Sequence, residues 1–326
     1  MKTAAEIFSA LGERFESFGR DDASRNIIAE ATARNGWFTA EDILYAVDAL
    51  RAEMLQEEKL SAWLSAYDFS GKTQKRVAII MAGNIPLVGF FDLLCVLASG
   101  HAALVKPSNK DSVLMRYVID ALRDIEPRIP IDSYSDGCEI DAIIATGSNN
   151  TKRYFSSEFA DKPSLLRGNR HSAAVLSGDE SAAELDGLQS DIFRYSGLGC
   201  RNVSLLLVPR GYVPNIGEVP VNRKYADNYR QTKALLTMTR QKFTDNGICL
   251  LTENDQFPAS LSTISYFEYG SLSEAEEWLA AHDDELQCVV SNCINHPRRV
   301  AFGEAQRPRL TDYPDDNDVM RFLQSI

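Results

Sequence analysis

The chain has 326 residues, 44% hydrophobic and 25% charged, the make-up of an ordinary globular protein with room for two domains or one large α/β unit. A formal charge of −12 excludes a general nucleic-acid or anionic-membrane binder, although a local basic pocket for a phosphorylated ligand remains compatible with it. The six cysteines, Cys95, Cys138, Cys200, Cys249, Cys288 and Cys293, lack CxxC spacing, which fits reduced thiols rather than a disulfide framework or a zinc site.

The first 70 residues read as helical. Ile7, Leu11, Phe15 and Phe18 recur at helical spacing up to Gly19. Thr39, three residues before Asp42, is an N-cap for a helix to about Leu55 that carries Ile43, Leu44, Ala46, Val47 and Leu50 on one side. A further helix holds Leu60, Trp63 and Leu64. The segment reads as a structural appendage, with a cap over a cleft or an oligomer contact as the functional alternatives.

At Lys75 the pattern changes to strand–helix repetition. Arg76–Ala82 is a continuous apolar run, as in a buried parallel strand. Gly83-Asn84-Ile85-Pro86 is a turn, with Pro86 suited to open a helix from Leu87 to Ser99 that Gly100 closes. Ala102–Val105 is the next strand and ends in Lys106-Pro107-Ser108; a helix follows from about Lys110 to Asp124. Ile140–Ala145 is a strand ending in Thr146-Gly147-Ser148-Asn149-Asn150, before a helix to about Phe159. This order predicts a doubly wound α/β fold with a parallel sheet, whose ligands bind at the strands' C-terminal ends.

Three of those ends carry chemistry. The Asn84 amide suits a developing oxyanion, although turn geometry alone also selects Asn. Lys106 and Ser108 suit a ribose or phosphate, although a lysine there is commonly solvated. Gly147 and Ser148 precede a helix N-terminus, whose open N–H groups attract anions. No GxGxxG is present.

Further on, an amphipathic helix with Leu185, Leu188, Ile192 and Phe193 on its core side ends in Ser196-Gly197-Leu198-Gly199-Cys200-Arg201-Asn202, and the apolar run Val203–Val208 starts at once. Glycines let such a loop lie close to a substrate, and a thiol on it can be a nucleophile whose pKa the neighbouring Arg201 would lower. The ordinary alternative is a buried structural cysteine. His171–Leu176, Gly247–Leu251, Thr263–Phe267 and Leu286–Val290 read as strands, with a capped helix from Ser273 before the last. Tyr225 and Tyr229 precede a helix to about Arg240 and suit either core packing or an acyl channel. Cys249 and Cys288 lie in apolar strands and read as inert. His171, His282 and His296 lack metal-ligand spacing, and His101 reads as a turn residue. Arg153, Arg167 and Arg170 read as solvated surface arginines, with contact to a coenzyme A phosphate as the functional alternative.

The segments Trp37-Phe38-Thr39, Met81-Ala82-Gly83-Asn84-Ile85-Pro86-Leu87-Val88-Gly89, Val105-Lys106-Pro107-Ser108, Ala145-Thr146-Gly147-Ser148-Asn149-Asn150-Thr151 and Arg194-Tyr195-Ser196-Gly197-Leu198-Gly199-Cys200-Arg201-Asn202 resemble the aldehyde dehydrogenase superfamily and, more closely, LuxC-type acyl-CoA reductases. The resemblance implies an aldehyde dehydrogenase-like α/β fold of two doubly wound Rossmann-type lobes with an N-terminal helical segment. The expected boundaries are 1–72 for that segment, 73–170 for a dinucleotide-binding lobe and 171–326 for the thiol-bearing lobe. It also implies roles: Cys200 as nucleophile, Asn84 as oxyanion donor, and Lys106, Ser108, Gly147 and Ser148 as residues binding a nicotinamide cofactor. NAD-preferring relatives usually place a Glu after Lys-Pro-Ser; here Asn109 stands there, and a missing carboxylate eases acceptance of the 2′-phosphate of NADPH, with NADH still usable.

Hydrolytic relatives carry a water-activating glutamate about 34 residues before the nucleophile, a count that reaches Leu166 in this chain, and a leucine cannot act as a general base. Glu158 and Asp191 are the carboxylates to consider should that count slip. The resemblance therefore implies reduction of an acyl-CoA or other acyl thioester to an aldehyde, with coenzyme A as leaving group and the thiol in a cleft between lobes. A CoA-acylating dehydrogenase, an acyl-phosphate reductase and a non-catalytic scaffold of the same fold are the alternatives. An acyl-transfer or acyl-activating partner enzyme and a homo-oligomer are compatible with the family. The N-terminus lacks the apolar core of a signal peptide and no apolar run approaches the roughly 18 residues of a membrane span, so the expected location is cytoplasmic.

Overall fold

The alternation after Lys75 becomes two sheets in the computed structural model, which describes residues 2–214, 216–217 and 219–326; Met1, Asn215 and Glu218 lie outside the described residues. The chain divides into two compact units, Met1–Asn169 with Pro308–Ile326, and Arg170–Arg307.

The first unit opens with α1 (Ala4–Phe15), α2 (Asp22–Arg34), α3 (Ala40–Glu53) and α4 (Glu57–Leu64). Thr39 caps α3 as its spacing predicts: its hydroxyl accepts the Asp42 N–H at 3.0 Å and donates to the Asp42 carboxylate at 2.7 Å. Then come β1 (Arg76–Ile80), α5 (Phe90–Ala98), β2 (Ala102–Lys106), α6 (Ser112–Ile125), β3 (Ile131–Ser133), β4 (Ala142–Thr146), α7 (Asn149–Glu158) and β5 (Ser164–Arg167). The strands form a parallel sheet in the order β3-β2-β1-β4-β5. Chain direction across the sheet reverses beside β1, the switch point at which such sheets bind ligands.

Strand side chains alternate between the two faces of this sheet. Val77, Ile79, Val105 and Ile144 share a core with α5, α6 and the N-terminal helices, whereas Ala78, Leu104, Ile143 and Ala145 pack with Phe155 and Phe159 on the α7 side. The N-terminal helices are thus no appendage. Phe8, Leu11, Ile43 and Leu60 are buried in the first of these cores, and the Phe8 ring meets Phe90 edge-on at 6.2 Å.

The second unit runs β6 (His171–Val175), α8 (Ala182–Phe193), β7 (Val203–Pro209), α9 (Arg223–Met238), β8 (Thr244–Asp245), β9 (Leu250–Glu253), β10 (Thr263–Tyr269), α10 (Leu272–Ala281), β11 (Leu286–Val290) and β12 (Arg299–Val300). Its sheet order is β12-β11-β6-β7-β10-β9-β8, parallel except where β8 meets β9. Leu188 and Ile192 of α8 cover one face, and Ala275 and Leu279 of α10 cover the other. Both units are therefore α/β layers around parallel strands. Among the described residues no helix is long and apolar enough to cross a membrane.

Several elements differ from their sequence signals. The helix expected from Leu87 begins at Phe90, because Pro86 lies in a turn in which Leu87 takes a left-handed φ of 58°. Strands β3 and β5 escape the sequence pattern because they span three and four residues, one exposing its two polar residues and the other ending in arginine. Ser271, not Ser273, caps α10, accepting the Glu274 N–H. Residues 308–326, grouped by sequence with the thiol-bearing lobe, belong to the first unit. There α11 (Val319–Ser325) packs on α5 through the fully buried Val319, Met320 and Leu323. His101 is not a turn residue on the surface. Its buried ring accepts the Lys75 N–H at Nδ1 (3.1 Å), so Nε2 carries the proton and donates to the Leu323 carbonyl (3.1 Å). Trp63, Tyr67, Tyr313 and Asp318 add a chain of hydrogen bonds between α4 and the same C-terminal segment.

Candidate active site

In the second unit, Cys200 is exposed on the turn between α8 and β7, whereas Cys288 is buried in β11 and Cys249 is buried just before β9. Burial pushes the Cys249 thiol up to about 12. The chain reaches the Cys200 turn through three consecutive left-handed residues, Tyr195, Ser196 and Gly197, with φ of 55°, 56° and 71°. Two of them are not glycine, a strained stretch that the surroundings must hold.

Asn202 does much of that holding. It is 4% exposed; its Nδ2 donates to the carbonyls of Asp191 (3.0 Å), Ile192 (3.1 Å) and Arg194 (2.9 Å), and its Oδ1 accepts the Gly199 N–H (2.8 Å). One side chain thus satisfies the end of α8 and the start of the thiol turn, while the Asn202 N–H donates to Gly199 O (3.0 Å) and closes the turn around Cys200 and Arg201. On the other side, the buried Ser172 hydroxyl donates to the Cys200 carbonyl at 2.9 Å.

Arg201, expected beside the nucleophile, also acts on Cys288. Burial pushes the Cys288 thiol up, while the Arg201 charge and the Ser172 hydroxyl pull it down. Tyr225 is buried edge-on against Phe193 at 6.0 Å, the packing rather than the channel reading.

In the first unit, the turns after β1 and β2 meet. A Cβ on Gly83 would lie 2.5 Å from Cβ of Ser108 and 2.6 Å from its hydroxyl, so only glycine admits this approach. Asp111, 2% exposed, reaches across to accept the Leu87 N–H at 2.9 Å. Burial raises its carboxyl well above the usual range, the Leu87 N–H opposing, and its Oδ1 has no hydrogen-bond partner among the described residues. Asn84 is half-buried on the turn that this contact anchors. Lys106 is exposed at the end of β2, 3.4 Å from the Asp136 carboxylate and with its ammonium 5.6 Å from the Tyr134 ring centre. Ser108 is half-buried and accepts the Lys110 N–H. Gly147 packs against Thr151, and Ser148 is the N-cap of α7, accepting the Thr151 N–H at 3.3 Å. The hydroxyl assigned to cofactor phosphates thus first serves its own helix, and the exposed first turn of α7 supplies the remaining N–H groups.

Leu166 faces the α7 side of the sheet with Phe155 and Phe159. Its neighbour Arg167 is not a surface arginine. It is 4% exposed and its Nη1 binds both oxygens of the buried Asp92 at 2.8 Å. Neither alternative carboxylate is a ready base. Glu158 is exposed at the far end of α7 from the strands' C-terminal edge. Asp191 is fully buried, its oxygens accepting N–H groups of Gly303 (2.7 Å) and Ala305 (3.0 Å), and burial raises its carboxyl to about 7. Arg170 donates to the Asp283 and Leu286 carbonyls, and Arg153 is exposed.

Asn202, Ser172 and Asp111 were not singled out from sequence. Signals for the first two existed: an Asn closing a glycine-rich turn just before a strand, and a Ser at an inward position of an apolar strand.

Solved structures share this architecture. Aldehyde dehydrogenase 21 of Physcomitrella patens, in complex with the reaction product succinate, matches with a TM-score of 0.68 at 11% identity, covering 99% of this chain and 83% of that one. An NAD-dependent benzaldehyde dehydrogenase of Corynebacterium glutamicum gives 0.64 at 14% identity (88% and 75%). The betaine aldehyde dehydrogenase of Staphylococcus aureus, in complex with NAD+, gives 0.61 at 13% (94% and 72%). These likenesses define an aldehyde dehydrogenase-like fold. The family model described as acyl-CoA reductase (LuxC) matches residues 25–222, more than half of the chain, and the protein belongs to that family. No curated protein matches.

Proposed function

We propose that this protein reduces an acyl-CoA, or a related acyl thioester, to the aldehyde through an acyl group carried on Cys200. The observation that carries the reading is the exposed thiol on a turn clamped from both sides, in a chain of the acyl-CoA reductase family. The Cys200 thiolate attacks the thioester carbon. The carbon–sulfur bond to coenzyme A then breaks, and the electron pair leaves on the departing thiolate. The Asn84 amide and the Cys200 N–H are the donors assigned to the oxyanion, each worth about 3 kcal/mol of barrier by analogy with other oxyanion holes. With Leu166 where hydrolytic relatives carry a base, and with Asp92 held by Arg167, the acyl-cysteine resists water.

A reduced nicotinamide, when bound, supplies hydride to the acyl carbon. The switch point beside β1, the exposed Lys106 ammonium and the exposed N-terminal turn of α7 fit such a dinucleotide, and Lys106, Ser108, Gly147 and Ser148 are the residues that would hold it. Collapse of the resulting thiohemiacetal on Cys200 releases the aldehyde and restores the thiolate. Asn109, exposed and without negative charge, supports NADPH as the electron donor, with NADH accepted.

The test is intact mass after mixing with acyl-CoA and no cofactor. One acyl adduct per chain, absent in Cys200→Ala and kept in Cys249→Ala, is expected; an adduct that survives Cys200→Ala removes the mechanism. Turnover with acyl-CoA, acyl-carrier protein and acyl phosphate then separates the substrate classes.

A further inference from the structure

The sheet of the second unit is irregular at one residue on both sides. Opposite the step from His171 to Ser172, β11 carries an extra residue, Gln287; opposite the step from Ser172 to Ala173, β7 carries an extra residue, Ser204. Two bulges therefore flank Ser172, which is itself fully buried. Bulges interrupt the ladder of backbone hydrogen bonds and re-aim the chain, and they gather next to active sites. The Ser172 hydroxyl fills the interruption. It accepts the Cys288 N–H at 3.2 Å and donates to the Cys200 carbonyl at 2.9 Å. A backbone donor of β11 is thereby linked, through one hydroxyl, to the carbonyl of the residue that bears the exposed thiol.

We infer that Ser172 is a positioning residue for Cys200. The carbonyl it holds belongs to the peptide that follows the thiol residue, while the Asn202 backbone N–H holds the peptide that precedes Cys200 by donating to the Gly199 carbonyl (3.0 Å), and the Asn202 side chain takes the Gly199 N–H one peptide earlier. With both sides fixed, the direction of the Cys200 side chain is set before substrate arrives. Such alignment matters for attack on a thioester, which must be met along one direction with the oxyanion facing its donors. It matters little for a small alkylating reagent, which can approach the sulfur from any open side. The role rests on the reading of Cys200 as the acyl-accepting nucleophile.

The experiment compares wild type, Ser172→Ala and Ser172→Thr in two reactions of the same thiol: single-turnover acylation by acyl-CoA, and alkylation by iodoacetamide across pH. Alanine fits the space vacated, and thermal unfolding checks that each variant is folded. Ser172→Ala should slow acylation by about 10- to 100-fold, with alkylation within about threefold of wild type and KM for acyl-CoA unchanged. Ser172→Thr, which keeps the hydroxyl, should recover most of the acylation rate. The role is overturned if Ser172→Ala acylates within about twofold of wild type, or if both reactions fall together with the folded fraction. Should threonine unsettle the fold, Cys288→Ala replaces it: the Cys288 N–H remains, and acylation should stay within about threefold of wild type. A folded wild type that takes up no acyl group would instead remove the reading of Cys200 itself.

Discussion

The thiol turn of the second unit and the Asn84 turn of the first are built to the same end by opposite means. Both contain left-handed non-glycine backbone, at Tyr195 and Ser196 in one and at Leu87 in the other. The thiol turn is held by neutral groups, the Asn202 amide and the Ser172 hydroxyl, whose donors and acceptors are matched to backbone carbonyls and N–H groups. The Asn84 turn is anchored by a buried acid, Asp111, with a second buried acid, Asp92, in the helix that follows and compensated by Arg167. Neutral clamps give geometry that pH and salt leave alone. Buried acids tie the geometry to protonation or to a partner charge.

The sharpest test removes that partner charge. Arg167→Met should leave Asp92 buried and uncompensated and cost about 3–5 kcal/mol in chemical denaturation, and pairing it with Asp92→Leu should recover most of the loss. If the single substitution costs under about 1 kcal/mol, the first unit does not depend on the ion pair. Next, Asn202→Ala strands three carbonyls and one N–H and should cost about 3 kcal/mol. This loss should be the same in low and high salt.

A third prediction concerns pH. The folded Asp111 carboxyl titrates above its ordinary 3.8, so the folded state holds a proton that the unfolded chain releases. Its contribution is present below the unfolded value and is lost as pH rises through the folded one. Asp111→Asn, a mimic of the protonated form, should flatten that part of the stability–pH curve; an unchanged slope would mean that the acid is not buried. Asp191, raised to about 7, adds a decline of the same sign between about pH 4 and 7, and Asp191→Asn should remove it separately. The smallest effect lies in cofactor choice. Asn109→Glu should shift the kcat/KM ratio of NADPH to NADH toward NADH by about tenfold, through repulsion of the 2′-phosphate.

How much of this was legible in the sequence follows from the distance between partners. Thr39 and Asp42 are three residues apart, and their cap is as the spacing indicates. The apolar strand Leu286–Val290 forms with the bounds its pattern gives. The family was legible because its motifs are contiguous segments around the glycines, Asn84 and Cys200. Pro86 misled because proline opens turns as readily as helices, and what decides between them is Asp111, which takes the Leu87 N–H from 24 residues away. Arg167 looked solvated because Asp92 lies 75 residues upstream. Ser172 offered only a polar residue at an inward strand position, since its partners are the backbone carbonyl of Cys200 on the thiol turn and the backbone N–H of Cys288 on β11.

The return of residues 308–326 to the first unit has a consequence for synthesis on the ribosome. Every strand of the thiol-bearing unit leaves the exit tunnel before α11 does, so that unit can complete its sheet while the first still lacks the cover of α5. Until Val319, Met320 and Leu323 arrive, and Leu323 offers its carbonyl to His101, the nascent first unit presents a bare apolar patch. Emergence of residues 308–326 is then the event that seals it, and a nascent chain that has not yet exposed them is the form that chaperones would be expected to hold.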